Sequence, residues 1–202
     1  MENKTTSIIE LIIAEDNLDL TISAISLVSA PAIEENFVFF NENKKNNLCL
    51  AAIDEEAQCL ISPALIPNKQ IFRYDAATDS EYYVYFSKET VKEASALYLK
   101  HSNQNSATYQ HEEDVKDVYT TESWIKEGEQ DKSKMYGFDL PDGTWFVKMH
   151  IANPDMWSKI KSGEIKGLSI EGFFVNKLHK LSKQDSYTNE QVLSALADIL
   201  KA

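Results

Sequence analysis

The sequence predicts an α+β protein with a mainly antiparallel β core, and three observations carry that prediction. Short runs rich in β-branched and aromatic residues recur, among them Ile8 to Ile13, Glu81 to Phe86, Val118 to Ile125 and Thr144 to Ile151. Turn signals separate them, the strongest being Asp139-Leu140-Pro141-Asp142-Gly143. Only three stretches combine helical spacing with caps, beginning near Lys88, Pro154 and Asn189.

A chain of 202 residues suits one domain with short appendages and is ample for a buried core. The formal charge of −12 and the lack of Lys/Arg clusters argue against a nucleic-acid surface, because phosphate contacts need basic patches. The apolar run Ile8 to Ile13 is broken by Glu10 and followed by Glu15 and Asp16. It therefore reads as a strand, with neither a signal peptide nor a membrane span expected. Cys49 and Cys59 sit in apolar surroundings without CxxC or Cys/His spacing, which points to reduced, buried thiols in a cytoplasmic protein. The four histidines are scattered and no Gly-rich phosphate loop is present, so neither a metal nor a nucleotide cofactor is expected.

In chain order, Val28-Ser29-Ala30-Pro31-Ala32-Ile33 is a turn in which Pro31 stops a strand, and Asn36 to Phe40 resumes an extended run. The Asn-rich segment Asn41 to Asn47 is a loop before a strand candidate at Leu48 to Ile53. Gln58 to Ile61 is a further strand, and Pro63 and Pro67 frame a loop leading to Gln70 to Tyr74. Ser87 caps a helix from Lys88 to about Lys100, with Val91, Ala94 and Tyr98 on its packed face. His101 falls in the polar loop that follows and reads as solvated.

The stretch Thr108 to Glu113 is strand-like and carries His111, and Val118 to Ile125 is expected to return antiparallel to it. After the charged excursion from Lys126 to Lys134, Thr144 to Ile151 forms a strand in which His150 is half-buried and structural. Asn153 caps a short helix with Pro154 at its first position, Trp157 and Ile160 facing inward and Gly163 as its stop. Lys177 to Ser186 is linker-like. The capping-box pair Thr188 and Gln191 opens a final helix, Asn189 to about Leu200, whose stripe of Val192, Ala195 and Ile199 covers the sheet or docks on another chain. The expected organisation is 1–176 as the main domain, 177–187 as a linker and 188–202 as an amphipathic helix.

The richest segment for chemistry is Gly163 to Phe174. In a strand, Leu168 and Ile170 point to one face while Ser169 and Glu171 point to the other. A serine hydroxyl is a weak nucleophile until an imidazole takes its proton, so Ser169 gains meaning from a histidine such as His111 on a second rigid element.

Several blocks then occur in a recognisable order: His111-Glu112-Glu113, Glu122-Ser123-Trp124-Ile125, Gly143-Thr144-Trp145-Phe146-Val147, Trp157-Ser158-Lys159-Ile160-Lys161-Ser162-Gly163 and Gly167-Leu168-Ser169-Ile170-Glu171-Gly172. Upstream, Val28 to Phe37 and Ser62 to Asn68 fit the same order, so the likeness covers about residues 20 to 176. Together they resemble the XkdF-type phage serine proteases, relatives of the prohead maturation proteases of tailed bacteriophages. The resemblance implies a β-barrel-like core flanked by a few helices, as in the prohead protease and herpesvirus assemblin group. It also implies a Ser/His endopeptidase with Ser169 as nucleophile and His111 as general base and then general acid. In that wider group the order is histidine, serine, then a further acidic or histidine residue.

The third member stays open between Glu171, on the face of Ser169, and Glu122, on a strand expected beside His111. Asp185, Glu190, Asp198 and His179 also follow Ser169 but sit in no convincing motif. By the same resemblance the partners are phage coat and scaffold proteins, with self-association, and the location is the procapsid within the bacterial cytoplasm. Because the chain ends soon after the Ser169 strand, a protease without a long scaffolding tail is expected. The rival reading is a non-enzymatic head assembly or scaffold-binding component with the same fold.

Overall fold

A computed structural model describes residues 7–13, 22–32, 38–39 and 57–177. Its elements are β1 (Ser7–Ile13), β2 (Ala24–Val28), β3 (Val38–Phe39), β4 (Cys59–Leu65), β5 (Ile71–Asp75) and β6 (Ser80–Phe86), then α1 (Lys88–Lys100). They continue with β7 (Ala107–Tyr109), β8 (Glu113–Asp114), β9 (Val118–Ile125), β10 (Trp145–Ile151), α2 (Pro154–Ser162), β11 (Gly167–Glu171) and β12 (Phe174–Asn176). The predicted strand at Leu48 to Ile53, the Asn-rich loop, Cys49, the linker beyond Lys177 and the final helix lie outside the described residues.

The strands form three four-stranded sheets, ordered β12-β1-β6-β5, β3-β4-β10-β9 and β11-β2-β7-β8. Most pairings are antiparallel, but β1 runs parallel to β6 and β2 parallel to β7. The α+β class holds. The barrel does not: among the described residues no sheet closes on itself. The sheets meet through their faces, and one apolar core takes Ile13, Val84 and Phe86 from the first, Leu60, Val147 and Met149 from the second and Ile25, Leu27 and Leu168 from the third. Burial is satisfied by this face packing, so edge closure is not required.

Both helices follow their sequence signals. Ser87 Oγ accepts from the Thr90 N–H at 3.3 Å, and Val91, Ala94 and Tyr98 are fully buried along α1. The Tyr98 ring meets Trp145 edge-on at 5.4 Å, and its hydroxyl lies 2.7 Å from that of Thr120. Burial raises the Tyr98 phenol to about 12, the Thr120 contact opposing it. Asn153 Oδ1 accepts from the N–H groups of Asp155 and Met156, both at 3.1 Å, and opens α2 behind Pro154. Gly163 ends that helix at φ +79°, a left-handed conformation a side chain rarely adopts. Trp157 and Ile160 are buried beneath it, which fixes where the chain re-enters as β11.

Three local expectations are corrected. β4 runs straight through Pro63 to Leu65, because the register against β10 shifts between Trp145, opposite Leu65, and Phe146, opposite Pro63. Such a bulge is where a strand tolerates a residue without an N–H. His111 is not in a strand but in the turn between β7 and β8, at φ +63° with Gln110 at φ +54°. β9 pairs with β10 and not with the His111 segment, whose own partners are β2 and the two-residue β8.

Candidate active site

The site is built on the third sheet. β11 lies antiparallel to β2 with Ser169 opposite Ser26, and β2 lies parallel to β7 with Ser26 beside Thr108. Directly paired residues project to the same side of a sheet, so these three hydroxyl groups form a row across it. Glu171, two residues beyond Ser169, shares that face, while Leu168 is buried on the other. The alternation read from the sequence is therefore the alternation in the fold.

His111 reaches this face from the β7–β8 turn. Its main-chain N–H donates to Ser26 Oγ at 3.0 Å, and its Nδ1 lies 3.1 Å from Glu171 Oε1. The same carboxylate oxygen accepts from the Thr108 hydroxyl. The histidine is thus held at its backbone by β2 and at its ring by β11. With Nδ1–H given to a carboxylate, the imidazole carries its free lone pair on Nε2, the atom a general base uses. Its side chain is 43% exposed and that of Glu171 24%, so the pair is open to solvent. Neither of the His111 bonds goes to Ser169, which is half-buried one strand away from the serine that anchors the turn.

The connection between α2 and β11 is tied to the same sheet. Tyr109 Oη donates to Glu164 Oε1 at 2.8 Å, Lys159 Nζ lies 3.1 Å from that carboxylate, and the Lys159 ammonium sits 4.0 Å over the Tyr109 ring. Hydrogen bonds from Tyr109 and then Lys159 lower the Glu164 carboxyl pKa. The strand carrying Ser169 and the strand leading to His111 are thereby clamped at one end.

Of the sequence-predicted residues, the structure brings His111 and Glu171 into contact and places Ser169 on their sheet face. Glu122 it does not bring there. That residue lies on β9 in the second sheet, where Lys132 Nζ bonds one carboxylate oxygen and Lys148 Nζ the other, the latter at 3.0 Å. These bonds, that to Lys132 foremost, lower its pKa despite partial desolvation, as expected of a structural ion pair. The expectation that Glu122 sits on a strand beside His111 is corrected by the β9–β10 pairing. His179, Asp185, Glu190 and Asp198 lie outside the described residues.

His150 is half-buried and stacks on Tyr119 at 5.1 Å, opposite Cys59 on β4, and His101 caps α1 with its N–H on Leu97. Cys59 is a free, buried thiol whose pKa is raised by desolvation. Sequence reasoning missed Ser26 and Thr108. The signal for Ser26 was present: one hydroxyl amid Ala24, Ile25, Leu27 and Val28 is a buried polar group that requires a partner.

Residues 71–177 match the family described as "Putative phage serine protease XkdF". The matched region holds His111, Ser169 and Glu171 and every element from β5 to β12. This chain belongs to that family of phage serine proteases. No curated protein and no solved structure matches it.

Proposed function

We propose that the chain is a serine endopeptidase that trims scaffold and coat-protein segments during phage procapsid maturation, with Ser169, His111 and Glu171 as its catalytic group. The observation that carries this reading is the His111 Nδ1 to Glu171 Oε1 contact on the sheet face of Ser169. A carboxylate on Nδ1 of a partly exposed imidazole is the arrangement a general-base histidine requires.

In the proposed reaction Ser169 Oγ attacks the scissile carbonyl carbon while His111 Nε2 takes the hydroxyl proton. Glu171 keeps Nδ1–H oriented and stabilises the imidazolium that forms. The C–N bond breaks as His111 returns the proton to the leaving amine, leaving an acyl ester on Ser169. Water then attacks that ester with its proton passing to Nε2, and the carboxylic acid product leaves as Ser169 recovers its hydrogen. The reaction requires Ser169 Oγ and His111 Nε2 to come within hydrogen-bond reach, and such bonds often tighten when substrate binds.

The test is co-expression with the coat and scaffold proteins encoded beside the gene, followed by intact-mass analysis. Wild type should yield shortened partners, and Ser169→Ala and His111→Ala should each reduce cleavage by about 10³-fold or more. The gap between Ser169 and His111 favours one second reading, a non-enzymatic head component. Uncut partners in all three samples, with the chain incorporated into assembled shells, would replace the protease reading with that one.

A further inference from the structure

Two cavities in the fold share part of their lining. The larger, about 590 Å³, lies on the first sheet, and the smaller, about 220 Å³, reaches Ser169, Ile170 and Phe174. Leu11 and Arg73 line both. The strand registers explain the shared lining: Ile71 and Arg73 of β5, Val84 and Phe86 of β6, and Ile9 and Leu11 of β1 all fall on one face of that sheet, along which the two cavities make a groove. The larger cavity alone is within the size of ligand clefts, about 300 to 1,000 Å³.

The groove is graded along its length. Asp75 and Glu81 line its outer end, Arg73 follows, and an apolar floor then leads to β11. Arg73 is the only arginine in the sequence and the only cation among the residues lining either cavity.

The main chain beside Ser169 is also suited to an extended ligand. The Ile25 N–H and the Leu27 carbonyl bond toward the β7 side of β2, and the Val28 carbonyl bonds back toward Lys166 before β11. By alternation Ser26 and Ser169 face each other through their backbones, so the Ile170 N–H and C=O point to the outer edge of β11. No described strand pairs with that edge. Leu168 is fully buried where β4 packs, whereas Ile170 is only partly covered.

We propose that this groove binds the substrate polypeptide in extended form. The ligand pairs its backbone with Ile170, seats an apolar side chain on the floor formed by Ile71, Phe86 and Leu11, and places an acidic side chain against Arg73. The inference rests on the protease reading for its choice of occupant. It makes Arg73 a specificity-determining residue some way from the reacting atoms.

The experiment uses the full chain carrying Ser169→Ala, so that bound peptide survives, and fluorescein-labelled heptapeptides with a central leucine and one glutamate scanned through the other positions. Lysine replaces glutamate in a matched set. Anisotropy should show tighter binding of at least one glutamate peptide than of its lysine counterpart. Adding Arg73→Glu should weaken that peptide about tenfold and favour the lysine set, while Arg73→Lys should keep the original preference. No binding by any peptide, or a preference indifferent to Arg73→Glu, overturns the groove. Sedimentation showing that Arg73→Glu breaks self-association in place of peptide binding assigns the face to a second copy and also overturns it. Cleavage of the same peptides by wild type is read separately: binding with the Arg73 preference but without cleavage keeps the groove and counts against the protease, and the converse keeps the protease and removes the groove.

Discussion

Two glutamates on two sheets of the molecule have opposite surroundings. Glu122 on β9 is held by two lysines, whereas Glu171 on β11 is shared by the Thr108 hydroxyl and the His111 imidazole. A carboxylate saturated by permanent cations is a strut and has no capacity left to orient a proton-transfer group. One that meets a histidine instead sets the tautomer and answers the charge that develops on it. The difference lies in the neighbours each strand acquires, β10 and the Lys132 segment for Glu122 and β2 with the His111 turn for Glu171.

The largest effect expected from that contrast is on catalysis. Glu171→Gln should keep the fold and lower cleavage of the partner proteins by about 10² to 10⁴-fold, because the imidazole loses its orienting anion. Glu122→Gln should stay within a few-fold of wild type in the same assay. Equal losses in the two variants would erase the distinction.

Next in size is the core beneath the second sheet. Trp145 is fully buried, packs on Tyr98 and donates its indole N–H to Ser123 Oγ at 2.8 Å. Trp145→Ala should cost about 3 to 5 kcal/mol in urea unfolding. A cost below about 1 kcal/mol would mean that the sheet does not rest on this side chain.

Ser26→Ala sharpens the comparison from the site's side. It leaves the His111 N–H without its acceptor, a loss of about 1 to 3 kcal/mol if the turn stays closed to water. Because Ser26 positions His111 and does not meet substrate, kcat should fall with KM little changed. Ser26→Thr, which retains the hydroxyl, should recover part of the rate. A pure stability loss with unaltered kcat would make the hydrogen bond structural only.

The smallest effect is the pH response of Glu122. Its pKa in the fold is lowered, chiefly by the Lys132 hydrogen bond, so the stability it contributes is present above the ordinary glutamate range and is lost as pH falls through the lowered value. The pair is partly exposed, so Glu122→Gln should cost less than about 1 kcal/mol at neutral pH, and the two unfolding curves should converge in acid. A gap that widens toward low pH would contradict that assignment.

Much of the site's strand geometry could be read in advance. Ser169 and Glu171 share a face because strand periodicity is two, and α2 starts and stops at Asn153 and Gly163 because caps are local chemistry. The turn at His111 was not legible as such: Thr108 to Glu113 is β-prone, and two consecutive non-glycine residues at positive φ are held by contacts from distant strands, Ser26 to the His111 N–H and Gln110 Oε1 to the Ser29 N–H at 3.5 Å. Pro63 misled for a related reason, since the bulge that accommodates it exists only against β10.

By itself, then, the sequence determined both helices with their caps, most of the strands, the shared face of Ser169 and Glu171 and the family to which the chain belongs. All of these depend on interactions spanning a few residues or on ordered blocks of sequence. Tertiary structure alone decided that β9 joins β10, that three open sheets share one core, and that Glu171 and not Glu122 meets His111. Those outcomes turn on strand pairings between residues far apart in the chain, such as Glu171 with Ala24 and Leu11 with Asn176, and no local preference encodes which edge a strand will find.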